Sequence, residues 1–489
     1  MNNEESSVNE DMFVDENENV ISFVIDTEIT PDTYGDLIRF IYRHYLMPQL
    51  NRFINIESIS SDPLHFISFV LPDPSGMWWA RVEIKAGKPV EVRILTRGPV
   101  PIEVISRLKE DIFITVQLFE EHVRRTSFYF AWVEGEPVVL ERGPRKRRNI
   151  IYRMFTESML MFFVIFIAIS IFFFMIFGPY TPILLVAIQF VVILFSDKII
   201  MRLGSWQITR EKPSVHIFHY HLPVEEYRNF RRKFSRDALM KIKAEIYERT
   251  LAVGKPVDCE TVNEVFSWHG FTCRPENMST KVVNVYDIVK KAAEKFSLPI
   301  PKVVIANTIL PNAAASGPYP SRGIVLITSG LLVQLEEDEI LSVIGHEFSH
   351  LKGRDPLVLF ALTAAEYLLR VYVFWPFLFI FGYFYIFFAL TAVYFIAKFF
   401  EAKADLEAAI KLGHPEILAQ ALRKIGFRRL QFERMPTYRL QEWLGWDPHP
   451  PLYFRIARLE RIRDLTKIRH PFIQSIKDNI SGFLEALAR

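Results

Sequence analysis

Between Ser158 and Ser196 the chain carries no charged side chain, and nothing else in it restricts the fold as much. A helix needs about 20 residues to cross a bilayer, and Gly178-Pro179-Tyr180-Thr181-Pro182 interrupts this run at its middle. The run therefore reads as two crossings joined by a tight turn. Its surroundings agree, since half of the composition is hydrophobic and phenylalanine occurs 43 times, which is heavy for a soluble enzyme. A cleaved signal peptide is excluded by position, and the N-terminus has no such pattern.

The chemistry-bearing stretch is Gly345-His346-Glu347-Phe348-Ser349-His350, an H-E-x-x-H set inside a helical pattern. Two histidines four apart lie on one helical face, so both imidazoles can reach one metal ion. Glu347 lands beside that face, where it can serve as a general base toward water. Glu336, Glu337, Asp338 and Glu339 load the first turn with negative charge, which suits the positive end of the helix dipole. Ile340, Leu341, Val343, Ile344, Phe348 and Leu351 supply the apolar spacing, and Gly353 stands where a C-terminal cap is expected. A catalytic zinc takes three protein ligands and keeps one position open, so a third ligand must lie elsewhere. Glu401 and Asp405, four apart in an alanine-rich helical stretch, are candidates for a ligand and for the carboxylate that orients a ligating histidine. Taken alone, the pair reads better as a solvated charged face beside Lys398 and Lys403.

A second apolar zone, Leu357 to Ala397, lies between these motifs and is broken only by Glu366 and Arg370. His350 and Glu401 can share an ion only if the chain between them crosses the membrane an even number of times. As helix that stretch rises about 60 Å, enough for two passes of about 30 Å. The turn is expected at Trp375-Pro376 or Gly382, and a re-entrant hairpin is the alternative. Arg142, Arg145, Lys146, Arg147, Arg148 and Arg153 precede the first span, and Lys198, Arg202, Arg210 and Lys212 follow the second. The positive-inside rule then puts both flanks, both termini and the metal motifs in the cytoplasm of a multi-pass cell-membrane protein. The basic cluster is assigned to topology and anionic lipid, not nucleic acid. Cys259 and Cys273 are the only cysteines; free thiols are the cytoplasmic default, and a disulfide is the alternative in a hyperthermophile. His216, His219 and His221 invite a second metal site but lack an obvious acidic or cysteine partner, and they read as core or surface residues.

One resemblance joins these pieces. His346-Glu347-Phe348-Ser349-His350-Leu351-Lys352-Gly353-Arg354-Asp355, then Glu401-Ala402-Lys403-Ala404-Asp405, then His449-Pro450-Pro451 with Arg455-Ile456-Ala457-Arg458-Leu459, resemble the ordered signature of the HtpX-type membrane metallopeptidases. That family is related to the CAAX prenyl proteases. Asn312-Ala313-Ala314-Ala315-Ser316-Gly317 and Gly330-Leu331-Leu332 are similar to its Asn-Ala box and the turn before its metal helix. The resemblance covers roughly residues 284–460. It implies a gluzincin with one zinc on His346, His350 and Glu401, Glu347 as base and acid, and Asp405 behind a ligand. His449 is implied as oxyanion donor, with Arg455 assisting it or anchoring it. Trp446-Asp447-Pro448 departs from the family, where Ser or Thr is more usual.

The expected architecture is an α+β integral membrane protein with a zincin-like protease domain, about four transmembrane helices and an N-terminal soluble α+β domain. An acidic, disordered segment (1–19) precedes a soluble domain of unmatched family (20–145) and a first transmembrane hairpin (154–200). The protease domain follows in two parts, 205–356 and 399–466, separated by a second hairpin (357–398), with a helical tail at 467–489. Ile324, Val325 and Leu326, with Asn312, Ala313 and Ala314, are expected to bind substrate, Ile324-Val325-Leu326-Ile327-Thr328 being read as a sheet edge that an extended peptide joins. The partners implied are a protein or peptide substrate and the lipid bilayer. Quality control of membrane or misfolded proteins is the leading function, with a CAAX-type processing protease and a catalytically silent scaffold as alternatives.

Overall fold

The computed structural model describes residues 18–61, 64–139, 159–233, 236–270, 272–433 and 436–488. The acidic segment up to residue 17 and the basic cluster Arg142 to Arg153 lie outside the described residues. Chain contacts divide the molecule into two units: 1–128 with 220–228 and 274–278, and the remainder.

The first unit is built on a five-stranded antiparallel sheet in the order Glu18–Ile25, Val90–Arg97, Trp79–Lys85, Leu64–Pro72, Ile54–Ser61. Val90, Val92, Ile94 and Thr96 alternate with exposed residues, the period of two that gives a sheet one buried face. That face meets Leu37, Ile38, Leu108, Ile112 and Phe119 from helices Tyr34–Ile41 and Ile102–Arg124. The pair Ile54–Ser61 and Leu64–Pro72 was not expected, because Leu64–Pro72 is buried along most of its length and shows no alternation. The strand Ser127–Val133, expected with this unit, instead lies in a three-stranded sheet with Ser214–His221 and Met278–Asn284.

In the second unit a four-stranded sheet runs Ala313–Ser316, Ile324–Thr328, Lys302–Ala306, Trp206–Ile208. The central pair is parallel and the two outer pairings are antiparallel. This corrects the expectation for Ile324-Val325-Leu326: that strand is interior, paired on both sides, and cannot accept a further strand. Its near-continuous burial is the pattern of a strand covered on both faces. The edge on that side is Ala313–Ser316, and Trp206–Ile208 is the other.

Helix Glu337–Gly353 packs Ile340, Ile344 and Phe348 against Ile305, Val325 and Ile327 of the sheet and Val289, Ala292 and Phe296 of helix Val285–Phe296. It starts with a capping box between Glu336 and Glu339, which satisfies two otherwise unpaired backbone donors. Gly353 is its last helical residue, not its cap; the left-handed position is taken by Arg354, at φ +52°. The basic stretch 412–445 is mostly two helices, Pro415–Glu433 and Pro436–Leu444.

Among the described residues two stretches are long and apolar enough to cross a membrane, Ala168–Leu194 and Phe384–Leu412, against the four crossings expected. The first is divided at Gly178–Tyr180 into helices Met159–Phe177 and Thr181–Leu194. Before the second come helix Asp355–Tyr372, the short helix Trp375–Phe381, and Gly382 at φ +50°. Helix Asp355–Tyr372 carries Asp355, Glu366 and Arg370 among its apolar residues. Glu366 and Arg370 pair at 3.1 Å with both side chains largely covered, as their spacing suggested.

Cys259 and Cys273 form a disulfide, with Cα atoms 5.7 Å apart, in place of the two free thiols expected by default. His219 stacks on Tyr129 and His221 Nδ1 lies 3.3 Å from Ser127 Oγ, so both are packed residues.

Candidate metal centre and active site

Helix Tyr383–Leu412 crosses the Glu337–Gly353 helix closely enough that a Cβ on Gly345 would lie 2.7 Å from Leu412 Cδ1. The bare glycine and the buried Ala402, Ala404 and Ala408 permit this approach, and it delivers Glu401 to the two histidines. His346 Nε2 and His350 Nε2 are 3.2 Å apart, and each lies 3.4 Å from a Glu401 oxygen. Among the described residues these three form the group able to hold a metal ion, their donor atoms all within 4.8 Å of one another.

The donor set fits a cation. Buried Glu401 Oε2 has no hydrogen-bond partner among the described residues. Burial alone pushes the His346 imidazole down, yet the carboxylates of Asp405 and Glu401 close beside it outweigh burial and hold the ring at about 10. A buried site that draws positive charge this strongly is suited to a metal ion, which takes the place of the proton.

Behind each histidine stands a carboxylate held by a base. Asp405 Oδ1 lies 2.9 Å from His346 Nδ1 and is gripped by Arg455 through two hydrogen bonds of 2.7 and 2.8 Å. Asp355 Oδ2 lies 2.9 Å from His350 Nδ1, and Lys403 Nζ donates to Asp355 at 3.0 and 3.2 Å. Such outer carboxylates fix the ring tautomer, leaving Nε2 free to ligate. Arg455, expected beside His449, clasps Asp405 instead, its planar fork matching a carboxylate bidentately. Asp355 and Lys403 were not singled out from sequence. The signal was the short stretch after the second histidine: Gly353 has no room for a Cβ, which would meet Asp355 Oδ1 at 2.2 Å and Lys403 Nζ at 2.4 Å.

Glu347 points to the edge strand, its Oε2 accepting from Ala315 N at 2.7 Å. Asn312 pairs with Thr328 through backbone and hydroxyl, and Ala313 and Ala314 follow it on the edge. His449 is half exposed, with Nε2 3.5 Å from Glu401 Oε2 and Nδ1 2.8 Å from Asp447 Oδ1. The Asp447 that departs from the family pattern is therefore the residue that holds this histidine.

The profile of Peptidase family M48 matches residues 280–463. Relatives described as "Protease HtpX homolog" share local and longer stretches. That of Moorella thermoacetica is 32% identical over 216 residues, covering 36% of this chain and 71% of its own length. Those of Thermodesulfovibrio yellowstonii, 45% identical over 74 residues, and Pyrococcus abyssi, 40% over 94, are matched over 26% and 32% of their own length and over 15% and 19% of this chain. For those two the match thus spans a third of their length or less. With the profile lying over the metal-binding helices and one relative matched across most of its length, the chain belongs to peptidase family M48, as a metallopeptidase of the HtpX type.

Proposed function

We propose that the chain is a membrane-embedded zinc endopeptidase that hydrolyses peptide bonds of membrane or misfolded proteins. The observation that carries this reading is the convergence of His346, His350 and Glu401 with Glu347 beside them, facing a strand edge. His346, His350 and Glu401 would hold the zinc, which when bound supplies Lewis acidity and brings the pKa of water toward about 7. Glu347 accepts the proton of the attacking water as its oxygen bonds to the scissile carbonyl carbon. His449 Nε2, held from behind by Asp447, donates to the oxyanion that develops. Glu347 then delivers its proton to the leaving nitrogen as the C–N bond breaks, and acid and amine products depart. Asp405 and Asp355 keep the histidine rings aimed throughout, with Arg455 and Lys403 holding those carboxylates. The substrate backbone lies against Asn312, Ala313 and Ala314 as an added strand. Ile324, Val325 and Leu326 lie one strand further in and support that edge.

The same reading includes a multi-pass topology with the site and both termini cytoplasmic. Helices Met159–Phe177 and Thr181–Leu194 are taken as one hairpin, and Asp355–Tyr372 with Tyr383–Leu412 as the other. An even number of crossings is what brings His350 and Glu401 to one side, and the basic residues flanking the first hairpin set its orientation.

Glu347→Gln is the direct test, since glutamine still hydrogen-bonds water but accepts no proton. The zinc-loaded variant should keep about one zinc per chain and lose cleavage of casein. Near-normal turnover would mean that another group is the base, and a wild type inert toward unfolded proteins and peptides would favour a silent scaffold.

A further inference from the structure

The segment carrying His449 is tied down by the helix that carries Glu401. Phe387, Thr391, Lys398, Glu401 and Asp405 recur along Tyr383–Leu412 at spacings that share one face. Trp446 Nε1 donates to Thr391 Oγ1 at 3.2 Å, and its ring lies 6.3 Å from that of Phe387. Further along the same face, buried Lys398 Nζ donates to the carbonyls of Gly445 and Asp447. The Asp447 carboxylate then accepts from His449 N at 2.9 Å and Nδ1 at 2.8 Å, and from Arg429 Nη1 at 2.9 Å. Arg429 is itself held by Glu433 and Glu442, and Glu433 accepts from the backbone of Leu452 and Tyr453 just beyond the histidine. Every tie except Trp446 is a buried or multiply bonded charge. Trp446 is 41% exposed and holds by one hydrogen bond and one ring contact.

We propose that Trp446 is a positioning residue that seats Asp447, and through it His449, on the face of the Glu401 helix. The proposal rests on the reading of His449 as oxyanion donor. Trp446 does not touch the metal-binding residues or Glu347 in any contact described. Removing its anchor displaces His449 without disturbing metal or ground-state substrate, and a displacement of about 1 Å can cost up to 100-fold in rate.

The test uses the full chain, zinc-loaded and reconstituted in phosphatidylethanolamine–phosphatidylglycerol vesicles, with a quenched fluorescent peptide that the wild type cleaves. Trp446→Ala should lower kcat about tenfold with KM and zinc content unchanged, and Trp446→Phe, which keeps the ring, should recover most of the loss. In a Glu347→Gln background, Trp446→Ala should weaken binding of a phosphinic peptide, which mimics the tetrahedral oxyanion, by a similar factor while leaving the matching uncleaved peptide bound as before. Unchanged kcat in Trp446→Ala overturns the proposal, as does an equal loss of zinc or of uncleaved peptide. If the wild type cleaves nothing, the functional reading fails, and the phosphinic comparison still decides whether Trp446 seats His449.

Discussion

Asp355 and Asp405 stand behind two histidines in the same way, one opening the helix that follows the second histidine by five residues and the other on the helix that carries Glu401. Replacing either carboxylate by its amide keeps the shape but weakens the hold on the ring tautomer. Asp355→Asn and Asp405→Asn should each lower zinc affinity about 10- to 100-fold, read by chelator competition on purified protein. Affinities equal to wild type would mean that the ligands are aimed without these partners. Sequence spacing put Glu401 and Asp405 on one helical face, because a helix repeats its face every three to four residues, but it took the resemblance to join that face to the two histidines. Spacing did not expose the Arg455–Asp405 pair, since 50 residues separate them and only packing brings them together. Asp355 stayed hidden for another reason: it follows a left-handed residue, Arg354, where helical periodicity no longer says which way a side chain points.

At the scale of elements, the end of the metal helix shows how a plausible local rule gives the wrong residue. A glycine near a helix end is read as its left-handed cap, but here the arginine takes that conformation and the glycine clears space for an ion pair. The two substitutions should therefore separate. Gly353→Ala should destabilise by about 1–3 kcal/mol through overpacking, whereas Arg354→Gly should stabilise by up to about 1 kcal/mol by relieving the left-handed backbone. Thermal unfolding of the two variants in one detergent checks this, and a stable Gly353→Ala protein would show that Asp355 and Lys403 can move apart freely. The reassigned sheet edge has a similar origin. Ile324–Thr328 has the composition of a strand, but composition does not tell an edge from an interior, and the alanines of Ala313–Ser316 carry little strand signal.

For the molecule as a whole, the proposed topology is open to labelling with a membrane-impermeant thiol reagent in a Cys259→Ser/Cys273→Ser background. Tyr180 and Ile380, both strongly exposed near the turns of the two hairpins, should react from outside intact cells once changed to cysteine, and Ser481 should not. A reactive Ser481 position reverses the orientation, and an unreactive Ile380 position favours a re-entrant second hairpin. The single helix Tyr383–Leu412 has a wider consequence. Its 30 residues rise about 45 Å, more than the roughly 30 Å of a hydrocarbon core. It acts as one rod, with the proposed span at one end and the proposed metal ligand Glu401 at the other. Hydrophobic mismatch tilts or shifts such a rod, while His346 and His350 belong to a helix seated on the sheet. Bilayer thickness should then act as a tuning variable for the metal. In phosphatidylcholines of increasing acyl length, zinc affinity should pass through a maximum and fall on both sides, and a flat response would show that the rod bends before it reaches Glu401.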